Sequence, residues 1–311
     1  MHRETKLSVM NFEGWVFLPF LRNSFSWVKS LFASSSKNFA KSSLTPFSKY
    51  SGCGNDFILI DNRDKIFPID NEKLIQKCCN RRFGVGADGI ILLENSKNAD
   101  FRMRVFNADG TEAEMCGNGL RCLGQYLKEL NIPGDSFHIE VTHKIYSIKV
   151  DPSYVNVSLI PPTEIKWNVK VPLEEKIVTL DFLNTGVPHA VIFTENLENI
   201  KLASLGPKIR NHPLFASRGT NVNFASLAAD GSVHVRTYER GVEQETLACG
   251  TGAAAVAIAA AIKYQLKSPI TVNTRSGEPL EFHLTIHNGK ISDLTMKGPA
   301  TWIFRGRIKF S

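Results

Sequence analysis

Between Gly252 and Ile262 the chain reads Gly-Ala-Ala-Ala-Val-Ala-Ile-Ala-Ala-Ala-Ile, apolar on every side of any helix it could form. A helix without a polar stripe has to be enclosed on all faces. The run is too short to cross a bilayer, which takes about 20 residues, so strands must surround it. Its neighbours supply them: Ile177–Leu183, Ala190–Thr194, Ser232–Tyr238, Ile270–Thr274, Leu280–His287 and Ile291–Met296 read as strands, with Asp230-Gly231 and Asn288-Gly289 as hairpin turns. The simplest fold is a strongly curved, mainly antiparallel sheet or barrel wrapped around one central helix.

The preceding part of the chain repeats that plan. Phe57–Ile60, Ile90–Leu93 and Phe101–Phe106 are strands, Asp70 caps a short helix carrying Leu74, Ile75 and Cys78, and His138–Leu159 alternates like paired strands. From Leu120 onward, Leu120, Leu123, Tyr126, Leu127 and Leu130 form one apolar helical face, with Arg121, Gln125 and Lys128 off it. Pro161-Pro162 marks a boundary. The expectation is an α+β chain of two pseudo-symmetric domains, residues 45–157 and 158–298, each a curved sheet around a central helix.

A cysteine precedes each central helix. Cys116-Gly-Asn-Gly119 opens the first and Cys249-Gly-Thr-Gly252 the second. Glycines there let a ligand approach the backbone, and the free N–H groups and helix dipole favour an anion. The same field favours a thiolate over a thiol. A lone cysteine so placed reads as a small core residue. The repetition instead points to two thiols and two anion-holding helix ends converging between the halves.

Composition narrows the function. At 311 residues, 43% hydrophobic and 22% charged, the chain has the balance of a soluble protein of two ordinary domains. Six cysteines without a Cys-x-x-Cys pair give no metal site, thioredoxin-like motif or disulfide framework. A reducing compartment is expected, with Cys53, Cys78, Cys79 and Cys122 as packing residues. The net charge of +7 traces largely to Arg22, Lys29, Lys37, Lys41 and Lys49, because residues 15–49 hold no acid. The remainder is nearly balanced and lacks basic–aromatic interleaving, which argues against nucleic acid. Residues 1–44 are serine-rich and basic, with Pro19 interrupting their one apolar run, so they do not span a membrane. They resemble an organellar transit peptide, and equally a stretch translated from too early a start codon. The chain is then cytoplasmic, or in the plastid stroma if the extension is a transit peptide. A homodimer is among the arrangements open to it.

Two acid/base groups on opposite faces of one carbon can invert its configuration, one taking the α-proton while the other delivers a proton. That proton is weakly acidic, and the sequence shows no convincing pyridoxal-phosphate lysine, so no cofactor is expected. The helix ends must then hold the charge developing on the substrate carboxylate, at ~3 kcal/mol for each well-placed donor. The motifs Gly54-Asn-Asp-Phe57, Phe106-Asn-Ala-Asp-Gly110, Cys116-Gly-Asn-Gly119, Pro188-His189, Tyr238-Glu-Arg-Gly241 and Ala248-Cys-Gly-Thr-Gly252 stand in the order found in diaminopimelate epimerases. Residues 46–311 resemble that cofactor-independent family.

The resemblance implies interconversion of LL- and meso-2,6-diaminopimelate, a step toward lysine and peptidoglycan precursors, with Cys116 and Cys249 as the acid/base pair. It implies that Gly117, Asn118, Gly250 and Thr251 meet the reacting carboxylate, and that Asn55, Asn107, Asn221, Glu239 and Arg240 contact substrate. It also implies that His189 and Glu239 tune the thiols, and that a last strand, about Pro299–Ser311, returns to the first domain. Val187 stands where many members have Asn, Gly89 where some have Gln, and the Gly241–Thr246 loop is a residue longer than in some. A lost amide contact of ~1 kcal/mol would relax recognition of the distal end. The alternative is a racemase of another amino acid, of the proline-racemase kind, whose substrate has no second charged end for Arg240 and the asparagines.

Overall fold

A computed structural model describes residues 44–310. The extension, with both of its readings, lies outside the described residues apart from Leu44. The first half comprises β1 (Thr45–Gly52), β2 (Asn55–Asp61), α1 (Glu72–Cys79), β3 (Gly89–Glu94), β4 (Phe101–Asn107), α2 (Gly117–Glu129), β5 (Ser136–Val141), β6 (Lys144–Val150) and β7 (Val155–Ser158). The second begins with β8 (Thr163–Pro172), β9 (Ile177–Asn184), β10 (Pro188–Phe193), α3 (Leu202–Arg210), β11 (Asn221–Leu227), β12 (Val233–Glu239) and β13 (Gln244–Thr246). It continues through α4 (Gly250–Tyr264), β14 (Ile270–Asn273), β15 (Pro279–His287) and β16 (Lys290–Gly298). β17 (Thr301–Ile308) then comes back to pair antiparallel with β1.

One pairing pattern occurs twice. β2 runs parallel to β3, β3 antiparallel to β4, β4 parallel to β5, and β5, β6 and β7 form a meander. Likewise β10 runs parallel to β11, β11 antiparallel to β12, β12 parallel to β14, and β14, β15 and β16 form a meander. β7 pairs with β16, joining the halves into one 17-stranded sheet. Each parallel pair is bridged by a helix, as a crossover requires. The β15–β16 hairpin turns at Asn288 and Gly289, whose φ values of 49° and 72° suit a two-residue turn with both central residues left-handed.

The helices lie on opposite faces of these strands. Phe57, Leu59, Ile91 and Leu93 pack toward Leu120, Leu123 and Leu127 of α2, while the alternate residues Ile58, Ile60, Ile90 and Leu92 pack with Leu74 and Ile75 of α1. In the second half Val191 and Ala225 share the core with α4, and Ala190, Ile192, Val222 and Phe224 pack with Leu202 and Ile209 of α3. Every residue of α4 from Gly252 to Ala261 is buried. Full burial of each large aliphatic side chain contributes ~1.5–3 kcal/mol.

Several local expectations are corrected. α2 begins at Gly117, not Leu120, because Cys116 itself is its N-cap. The cap of α1 is Asn71, whose Oδ1 accepts from Leu74 N at 3.1 Å, rather than Asp70. Arg121 is not on a solvated face: α2 is enclosed on both sides and the side chain is fully buried. Lys49 belongs to β1, where it pairs with Asp56 at 2.7 Å. Among the described residues no helix is long and apolar enough to cross a membrane.

Candidate active site

Cys116 and Cys249 are the N-caps of the two equivalent helices, with matching extended backbones of φ −145°, ψ 107° and φ −119°, ψ 107°. The first N–H groups of each helix lie outside its ladder and face the cap. Gly119 N donates to Cys116 Sγ at 3.3 Å. The helix ends meet at Asn118, which is buried. Its Nδ2 donates to Asn55 Oδ1 at 3.2 Å and to Ala248 O, the carbonyl preceding Cys249, at 3.3 Å. The approach is close: a Cβ on Gly250 would lie 3.2 Å from Asn118 Oδ1, and one on Gly117 would lie 3.0 Å from Met296 Cε.

The two thiols have different partners. Cys116 Sγ points at Asn55 Oδ1, 3.9 Å away, an acceptor that suits the neutral thiol. Asn55 is held in that sense by Asp88, which accepts from its Nδ2 at 2.9 Å. Cys249 Sγ instead lies 3.6 Å from Thr251 Oγ1, which is 3.0 Å from His189 Nε2. Asn223 fixes the histidine tautomer. Its Oδ1 accepts from Thr237 Oγ1 at 3.0 Å, so its Nδ2 faces Ala190 O at 3.0 Å and His189 Nδ1 at 3.2 Å. With Nδ1 accepting, Nε2 carries the proton and donates to Thr251, whose hydroxyl proton is free for Cys249. Burial, helped by the charge of Arg240, pushes His189 down to about 3, so the ring is neutral.

Electrostatics qualify the expectation that helix ends produce thiolates. Burial pushes Cys116 up to about 11, against the N–H of Gly119 and the charge of Arg121. Cys249 rises further from burial, with the Glu239 carboxylate adding to the rise and Thr251 opposing it. Desolvation therefore outweighs the helix ends, and both resting thiols are neutral. Glu239, on the last position of β12, raises both thiols, and its own carboxyl is raised by burial. His189 reaches Cys249 only through Thr251.

The remaining residues singled out from sequence are engaged locally. Asn221 is buried, accepts from Arg240 N at 2.8 Å and donates to Pro188 O at 3.0 Å. The Arg240 guanidinium donates to Arg218 O at 3.3 Å. Asn107 is exposed and its Nδ2 donates to Thr111 Oγ1 at 3.0 Å, closing its own turn. Gly89 pairs with Asn107, and a Cβ there would lie 2.4 Å from Phe106 O, so a glutamine would need a shifted backbone. Asn223, Thr237 and Asp88 escaped the sequence reading. Asn223 had one signal, its spacing of two from Asn221, which puts both amides on one face of a strand.

The diaminopimelate epimerase family model matches residues 47–157 and 182–303. A protein from Flavobacterium psychrophilum named diaminopimelate epimerase is 44% identical over 264 residues, covering 84% of this chain and 98% of that one. One of the same name from a Hydrogenobaculum species is 42% identical over 275 residues, covering 84% and 98%. Among solved structures, a PhzF-family phenazine biosynthesis protein from Bacillus anthracis superposes with a TM-score of 0.68 at 15% identity, covering 86% of this chain and 100% of that one. A hydroxyproline epimerase from Agrobacterium vitis, with bound trans-4-hydroxy-L-proline, gives 0.65 at 14% identity, covering 85% and 92%. These structural likenesses establish a shared fold; with the family match and the identities over nearly the whole length of the relatives, the chain belongs to the diaminopimelate epimerase family.

Proposed function

We propose that the chain interconverts LL- and meso-diaminopimelate with Cys116 and Cys249 as its two acid/base groups. The observation that carries this is the meeting of two cysteine-capped helix ends at Asn118. The reacting carboxylate sits between the helix ends, taking the spare N–H groups of Gly117, Asn118, Gly250 and Thr251. An α-ammonium group placed beside Glu239 neutralises the field that raises both thiols, so one thiol can ionise as substrate enters. That thiolate takes the α-proton: the C–H bond breaks, an S–H bond forms, and the electron pair spreads into the carboxylate. The opposite thiol gives its proton to the other face and is left as the thiolate. Arg240, Asn221, Asn107 and Asn55 hold the distal amino-acid end.

In deuterated water, product formed early should carry solvent deuterium at the inverted carbon, while recovered substrate carries little. Product that keeps its original proton, or a Cys116→Ala or Cys249→Ala protein that epimerises within tenfold of the parent, a margin of ~1.4 kcal/mol, would falsify the two-thiol assignment. We further infer that residues 45–157 with 299–311, and 158–298, form its two domains, and that it acts in the cytoplasm, or in the plastid stroma if residues 1–44 direct it there. Two copies pair along β17, an edge strand with Trp302 and Ile303 50% and 45% exposed. Sedimentation should give a dimer that Trp302→Glu dissociates.

A further inference from the structure

Arg121 has 0% exposure, yet none of its partners is a carboxylate. Nε donates to Pro299 O at 3.1 Å, Nη1 lies 3.3 Å from Met296 Sδ, and Nη2 lies 3.3 Å from Cys53 Sγ and 3.1 Å from Asn118 Oδ1. Among the described residues it forms no ion pair. Burying an uncompensated charge is costly, and an apolar side chain would fill the same space without that cost. A Cβ on Gly298 would lie 2.4 Å from Leu280 Cδ2 and 3.0 Å from Nε, so the bare backbone there leaves room for both side chains.

We propose that Arg121 is a positioning residue that fixes the sense of the Asn118 amide and thereby the placement of both thiols. With Oδ1 committed to the guanidinium, only Nδ2 can face Asn55 Oδ1 and Ala248 O. A reversed amide would set NH2 against the guanidinium and a carbonyl against two carbonyls. The first of those carbonyls is the group that Cys116 Sγ faces, and the second is joined to Cys249. One guanidinium thus governs both halves of the site. Its charge also opposes the rise of Cys116, which Glu239 of β12 adds to and the N–H groups of Gly119 and Asn118 oppose. A purely structural arginine would pin the β16–β17 connection through Pro299 and leave the thiols alone.

The test uses the full chain with Arg121→Met and Arg121→Lys, reading turnover of diaminopimelate and the pH profile of Cys116 alkylation by iodoacetamide. The Met variant should lose kcat by at least about tenfold with KM changed less. Its alkylation midpoint should rise by about half a pH unit or more. A folded Met variant with parental kcat, or with an unmoved midpoint, overturns the proposal. The Lys variant keeps the charge and loses the fork, so its midpoint should stay near the parent's while kcat falls; parental kcat overturns the proposal. Should neither variant fold, nitrogen NMR of the parent decides. Separate, slowly exchanging Nη signals from Arg121 are expected, and a freely rotating guanidinium overturns the proposal. The inference rests on the proposed function only for turnover. A parent that fails to act on diaminopimelate would refute that function and leave the alkylation and NMR readings standing.

Discussion

Replacing Thr251 by Val keeps the shape of the side chain and removes the hydroxyl that links His189 to Cys249. Two costs follow. His189 has 0% exposure and its Nε2–H loses its acceptor, so stability should fall by ~1–3 kcal/mol. The Cys249 thiolate loses a hydrogen-bond donor, and a bond to a charged group contributes ~1.5–3 kcal/mol. At about 1.4 kcal/mol per decade that is a fall of about 10- to 150-fold in kcat/KM, and the 3.6 Å separation favours the lower end. The equilibrium between the stereoisomers is fixed, so the factor must be the same in both directions. Conversion followed by chiral chromatography from each isomer measures it, and Thr251→Ser should restore most of the rate. A folded Thr251→Val protein within threefold of the parent would refute the relay.

Other outcomes follow from the same geometry. Mild oxidant should join Cys116 to Cys249 and stop activity until a reductant is added; peptide mapping that finds another pair counts against converging helix ends. Because Cys116 is held at about 11 in the fold and near about 8.5 when unfolded, the folded chain keeps the proton longer. Stability from this group is complete below about pH 8.5 and is lost as pH rises toward 11. Denaturant midpoints should decline over that window, and Cys116→Ser should flatten the decline; an unchanged slope contradicts the assignment. A chain beginning at Ser43 should fold and turn over like the full chain, since β1 starts at Thr45 and pairs with both β2 and β17. A stability loss above ~2 kcal/mol on that truncation would show otherwise.

What sequence made legible was whatever the solvent boundary imposes. α4 is readable because no face of Gly252–Ala261 meets water, and β12, β14 and β15 around it alternate as half-buried strands must. α3 was hidden, because Gly206 and Pro207 interrupt Leu202–Arg210 and no side chain caps its start. β8 was hidden by its exposure on almost every position, which leaves no alternation to read. β11 was hidden too, because Asn221 and Asn223 put polar side chains where a core strand is expected to be apolar. Asn221 and Asn223 are nevertheless buried, because their amides satisfy the backbone at Pro188, Arg240 and Ala190 and the ring of His189. Arg121 was misplaced for a related reason: helical periodicity assigns faces but does not report that both are covered. The cysteines were legible as a pair through repetition, while their resting ionisation depends on burial that no motif encodes.

The contrast between the thiols has a kinetic consequence. Each turnover leaves one cysteine as a thiolate, which must regain a proton before the neutral resting pair is restored. Cys116 is half-buried, whereas Cys249 is 8% exposed and backed by Thr251 and His189. A thiolate left on half-buried Cys116 should therefore regain its proton sooner than one left on Cys249. At saturating substrate this recovery lag limits the flow in one direction before the other. A duplicated fold thus yields a catalyst whose two product-release forms have unequal lifetimes.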